Sequence, residues 1–192
     1  MAAYFTALFA WYSVLVHQTV FLIEKGFDSQ LAATALGLVG LFGIVGQIAI
    51  GALSDRIGRE WAWTISLLGY VACYFSLLEL SNTPSLLLLY FMVGVQGLLG
   101  FGLASIYGAV TAEIFAGPRF ATIFALAGFG GNFGAGAGPW ITGYIFDSTG
   151  SYKMAFWLCI AMSLASIFCI WMAAPRKVRL VAGQAARRAG VA

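Results

Sequence analysis

The chain predicts an all-α polytopic membrane protein, and three observations carry that class. Apolar residues fill 61% of its 192 positions against 9% charged, with a mean hydropathy of +0.92, far from the usage of water-soluble domains. Its ionisable side chains, 10 Lys and Arg with 7 Asp and Glu, gather in short clusters. Between the clusters lie six uncharged runs, at about 3–23, 30–53, 61–78, 84–112, 120–146 and 154–174. Each meets or approaches the ~20 apolar residues that a ~30 Å hydrocarbon core requires of a helix. A charge at the bilayer centre costs ~2.5–3.5 kcal/mol, so six uncharged runs fit six spanning helices, a bundle over residues 1–175. A water-soluble bundle would need a polar face that these runs lack.

The first run has no basic residue before it and no A-x-A-like cleavage site after it, so it reads as a retained helix and not a secretory leader. It holds Ser13, His17 and Gln18. The second run carries Gly37, Gly40, Gly43 and Gly46, a ridge of small residues that lets helices approach closely, and one polar residue, Gln47. Cys73 in the third run, like Cys159 and Cys169 in the sixth, belongs to no CxxC and has no paired-His spacing. These cysteines read as packing residues, and no metal or cofactor is expected. The fourth run contributes Gln96, Tyr107 and Thr111. Beyond it, Glu113 and Arg119 flank the turn "FAGPR" and either pair as a gate or stay solvated.

The fifth run contains "GFGGNFGAGAGPW", Gly128 to Trp140. A dinucleotide loop would need glycine at Phe133 or Pro139 and a preceding strand, and a flexible linker would alternate glycine with serine instead of Phe129, Phe133 and Trp140. Gly130, Gly134 and Gly138 recur every four residues, with Gly131 and Ala135 beside them, which predicts a close-packed helix seam. Pro139 removes a backbone donor and can kink the helix where the ridge ends. Asn132 is the one strongly polar residue in the stretch. "DSTGSY", Asp147 to Tyr152, reads as an Asp-started turn closed by Gly150. Pro175 ends the sixth helix, and the basic tail 176–192 either binds anionic headgroups or serves as a topology anchor with a disordered end.

Six spans place Arg56, Arg59, Arg119, Arg176, Lys177, Arg179, Arg187 and Arg188 on one side, against Lys25 and Lys153 on the other. The positive-inside bias then puts both termini in the cytoplasm of a plasma (cytoplasmic) membrane protein.

The most distinctive local pattern is "GALSDRIGRE", Gly51 to Glu60, in the turn between the second and third spans. Gly51 permits close backbone approach, Asp55 can face a helix amino terminus, Gly58 allows a tight reversal, and Arg56 and Arg59 stay in the cytosol. As G-x-L-x-D-R-x-G-R it resembles the signature cytoplasmic loop of the major facilitator superfamily, with Gly51, Leu53, Asp55, Arg56, Gly58 and Arg59 matching. Downstream, "AEIFAGPRFATIFAL" and "GAGAGPWITGYIFDSTGSY", followed by an aromatic last helix, resemble the eleventh and twelfth helices of bacterial monocarboxylate-transporter-like members. The resemblance covers nearly the whole chain. It implies helices seven to twelve of a twelve-helix fold, with an N-terminal six-helix half or a second copy as partner. It also implies that the loop is a conformational latch whose Asp55 meets a helix dipole in the opposite half, outside this chain. The uncharged run 30–53 departs from the acid and arginine that many such carriers hold in their eighth helix, which weakens a carboxylate assignment. The core from Gly134 to Pro139 resembles the fifth-helix motif of superfamily antiporters, but here it would occupy the eleventh helix and does not argue for antiport.

The function expected is a secondary active transporter, or half of one, moving a small organic solute, an organic anion among the options, by alternating access. Its partners are the solute and the lipid bilayer, and nucleic acid is not among them. Polar residues inside spans are the substrate-path candidates: His17, Gln18, Gln96 and Asn132. His17 is the one histidine, able either to exchange protons or simply to bond between helices. No carboxylate lies mid-span. A half-size subunit that transports nothing alone is the second reading. A polytopic enzyme is remote, because one histidine without a partner is a poor catalytic constellation.

Overall fold

The computed structural model describes residues 1–115 and 117–173. These form α1 (Ala2–Glu24), α2 (Ser29–Ile57), α3 (Arg59–Leu80), α4 (Leu86–Leu98), a 3₁₀ turn (Gly100–Gly102), α5 (Leu103–Ile114), α6 (Phe120–Thr149) and α7 (Lys153–Ala173). No strand occurs among the described residues. Six helical segments are long and apolar enough to cross a membrane when α4, the 3₁₀ turn and α5 are taken together. The described residues therefore supply six candidate spans of a multi-pass membrane protein. Pro175 and the basic tail lie outside the described residues.

Local chemistry sets where the helices stop. Asp28 caps α2 by accepting from the Gln30 and Leu31 amides at 2.9 and 3.3 Å, satisfying donors that the first turn leaves free. Gly58, at φ +102°, separates α2 from α3 by a single residue, a conformation a side chain would strain. Asp147 does not start a turn as expected. The helix runs on through it to Thr149, because Gly150 at φ +67° supplies a left-handed cap whose amide bonds the Phe146 carbonyl.

The core gathers around α3, whose Trp63, Tyr70 and Tyr74 are fully buried beside Phe9, Phe21 and Phe156. The polar tips of Trp63 and Tyr74 are tied down: Trp63 Nε1 donates to Ser166 Oγ at 3.1 Å, Ser166 donates to the Ala3 carbonyl at 2.6 Å, and the Tyr74 hydroxyl donates to the Ala10 carbonyl, whereas the Tyr70 hydroxyl meets no partner among the described residues. With no water in the hydrocarbon, such bonds are the outlet these groups have. α1 thereby sits against both α3 and α7, and against α6 on its other side.

The fourth span departs from the single helix expected over 84–112. It breaks at Leu99 into the 3₁₀ turn and restarts at Leu103. Gly97, Gly100 and Gly102 each disfavour continuous helix by ~1 kcal/mol relative to Ala. What they permit is contact: a Cβ on Gly100 would stand 3.0 Å from the Tyr70 ring, one on Gly102 2.5 Å from Ile50, and one on Gly97 2.6 Å from Phe42. The break wedges between α2 and α3.

Candidate functional site

Two regions hold the residues expected to matter, one at the end of the bundle where α2 meets α3 and one along α6. At the first, Arg59 is a hub. Its guanidinium lies 2.6 Å from Asp55, donates from Nε to Glu113 Oε1 at 2.7 Å, and also bonds Ser54. Ser54 in turn donates to the Gly51 carbonyl at 2.6 Å. One side chain, only 15% exposed, thus links the end of α2, the start of α3 and the end of α5. Gly58 brings this about, since its positive φ turns Arg59 back onto the helix it has just left.

Asp55 has a partner within the chain, because the reversal delivers Arg59 to it, although its carboxylate remains 56% exposed. Glu113 pairs with Arg59 and not with Arg119, which stays exposed like Arg56. A Cβ on Gly51 would meet Ser105 at 3.4 Å, ordinary contact for a close α2–α5 approach.

Along α6, the glycines face α1. A Cβ on Gly134 would lie 2.1 Å from the Phe5 carbonyl oxygen, and one on Gly138 2.3 Å from that of Phe9. Gly130 faces Met1 and Gly131 faces the Tyr107 hydroxyl. Pro139 sits inside a helix that continues past it. The second-helix ridge divides instead: Gly43 and Gly46 press on Phe101 and on the Gly97 and Leu98 carbonyls, whereas Gly37 and Gly40 touch nothing within 4 Å.

The four substrate-path candidates do not converge. His17 bridges helices: Nε2 donates to the Pro139 carbonyl at 2.9 Å, which leaves Nδ1 to accept from the Tyr152 hydroxyl at 3.2 Å. Burial pushes the Tyr152 phenol up, and the carboxylates of Glu24 and Asp147 push it further, so it stays a protonated donor. Gln18 and Gln96 are buried at 2% and 0% exposure, and neither amide has a hydrogen-bond partner among the described residues. Ser13 donates to the Phe9 carbonyl within α1, and Thr111 bonds the Tyr4 hydroxyl, which ties α5 to α1.

Asn132 alone points away from the bundle. It sits opposite the glycine seam, exposed, in an apolar notch of about 500 Å³ with Phe129, Phe133, Gly136, Ala137 and Trp140. The sequence singled out Asn132 but not its setting; the signal was there in Phe129, Phe133, Trp140 and Tyr144, spaced by four, seven and four residues on one helical face.

Comparison with known proteins agrees with this architecture. The family model described as Major Facilitator Superfamily matches residues 1–191. Monocarboxylate transporter 12 of Rattus norvegicus is 30% identical over 159 residues, 80% of this chain and 32% of that protein. Polyamine transporter 3 of Saccharomyces cerevisiae is 27% identical over 138 residues, 72% of this chain and 21% of that protein. The chain thus spans about a third or less of the curated relatives it matches.

Proposed function

Because the chain belongs to the major facilitator superfamily, we propose that it forms one six-helix half of a secondary transporter that moves a small organic solute by alternating access. The observation that carries this is the Arg59 hub. A charge cluster that joins three helix ends through one guanidinium is a unit that forms or parts as a whole, and alternating access needs such a contact at one mouth of the path. The exposed Asp55 carboxylate leaves an anionic surface to which a helix amino terminus of an opposite half can dock. The eight basic residues counted on this side support a cytoplasmic placement of both termini in the plasma membrane.

The relatives carry names of opposite charge preference, monocarboxylate and polyamine, so solute charge is not inherited from them. A second reading, favoured by the short share of those relatives that the chain covers, is a half-size subunit that requires a partner. Proteoliposome uptake of a labelled monocarboxylate, a polyamine and an uncharged solute tests both. The purified chain is compared with the chain co-expressed with an amino-terminal six-helix half. Uptake only with the second half supports the subunit reading, uptake by the chain alone removes it, and no uptake in either preparation overturns the transporter reading. In a transporting preparation, Arg59→Ala should cut the rate by an order of magnitude or more while surface expression is retained.

A further inference from the structure

We propose that the crevice between the ends of α1, α5, α6 and α7 seats an acyl chain of an anionic phospholipid, with Arg119 meeting the phosphate at its rim. The inference needs a bilayer around the chain and does not rest on transport. Two cavities form the crevice. One, of about 290 Å³, lies between all four helices, against Ala3 of α1, Val110 of α5, Ala127 of α6 and Ile170 of α7. The other, of about 420 Å³, is bounded by Gly117, Pro118 and Arg119. Ile114, Phe115 and Ile123 line both, so one opens into the other. The crevice lies at the end of the bundle that holds Arg59, since Glu113 at the end of α5 reaches that guanidinium.

The lining decides the occupant. In the inner cavity the polar side chains are Tyr4 and Thr111, and both O–H donors are spent: Tyr4 donates to the Tyr107 carbonyl, and Thr111 donates to the Tyr4 hydroxyl. A polar solute would find no free side-chain donor there, whereas a hydrocarbon chain needs none. The rim is the reverse. On the four lining helices and the turn before α6, the charged side chains at this end are Glu113 and Arg119. Arg59 holds Glu113, and Arg119 is exposed and pairs with no carboxylate among the described residues. The remaining carboxylates at this end, Asp55 and Glu60, belong to α2 and α3, which line neither cavity. Along the sequence, Arg176, Lys177 and Arg179 follow soon after Ala173, itself a lining residue. An apolar pit under an uncompensated positive rim fits a fatty chain with a negative head, and the same charge repels the chain's own basic tail.

Native mass spectrometry of the full chain in detergent, titrated with dioleoylphosphatidylglycerol or dioleoylphosphatidylcholine, reads the lipid retained. The anionic lipid should bind about fivefold tighter, the effect of one basic residue against a charged headgroup, and Arg119→Gln should erase the difference. Arg56→Gln, exposed at the same end but outside the crevice, should keep it. Ala127→Leu inside the inner cavity and Ala173→Phe at its exposed edge should each weaken both lipids about tenfold by filling the space, with thermal melts showing which variants are folded. Ala173→Phe carries this arm if Ala127→Leu does not fold. Glycerol 1-phosphate, a headgroup without chains, should displace nothing. Equal affinity for the two lipids, a preference that survives Arg119→Gln or vanishes in Arg56→Gln, lipid binding untouched in a folded Ala173→Phe, or displacement by glycerol 1-phosphate would each overturn the proposal. So would tighter lipid binding when Leu180→Ser and Val181→Ser strip apolar groups from the tail, or loss of binding on co-expression with an amino-terminal six-helix half, because either result gives the crevice to a protein segment.

Discussion

His17 fastens helices through both of its ring nitrogens. A lone imidazole inside a span invites a proton-coupling role. Yet both ring nitrogens are engaged, one by the Pro139 carbonyl and one by Tyr152, so the ring ties α1 to α6 and to the approach of α7. At ~1 kcal/mol net for each hydrogen bond, His17→Ala should lose ~2 kcal/mol and melt several degrees lower in detergent. Tyr152→Phe should lose about half as much, and the double variant less than the sum, since the two share a bond. Uptake by the reconstituted carrier should keep its pH profile in His17→Ala; a flattened profile would return His17 to the transport chemistry. The sequence allowed both roles, because nothing in the order of residues said that position 17 would face positions 139 and 152. The same blindness hid the pairing of Arg59 with Glu113, which are separated by 54 positions and meet only through the α2–α3 reversal.

Helices were far more legible than their partners. Hydropathy and charge segregation pointed to six long apolar helical segments, the number found among the described residues, since the bilayer requirement acts on each segment by itself. The glycine seam was legible for the same reason: a four-residue period is a property of one helix, and only its partner, α1, had to be learned from the fold. Gly134→Leu should abolish folded expression, because the backbone carbonyl of Phe5 occupies the space and cannot rotate away. Gly136→Ala, two residues on but facing open space, should express and melt like the parent or slightly better, given the higher helix propensity of Ala. The interruption of the fourth span escaped notice, although three glycines in six residues announced it. Gly102→Ala should destabilise by forcing its methyl into Ile50, and because the Ile50 Cβ itself would lie 2.6 Å from that methyl, Ile50→Ala in the same chain should recover little of the loss, as paired thermal melts would show.

At the level of the whole molecule, the fold divides its polar groups by purpose. Some in the core bond from one helix to the next while Gln18 and Gln96 lie buried without a partner among the described residues, Asp55 and Glu113 meet Arg59 at one mouth, and Asn132 is turned outward among aromatic rings. None of this spatial sorting could be read along the chain, where Asn132, Gln96 and Gln18 look alike. The break at Leu99 has a mechanical consequence. Glu113, bound to Arg59, sits on α5, whereas Gln96 sits on α4 beyond the interruption. Spin labels on α5 and on α4 should therefore report different displacements from α3 when Glu113→Ala frees the mouth, α5 swinging while α4 stays put. The fourth span is a crank with a joint at its middle, and force applied at one end need not arrive at the other.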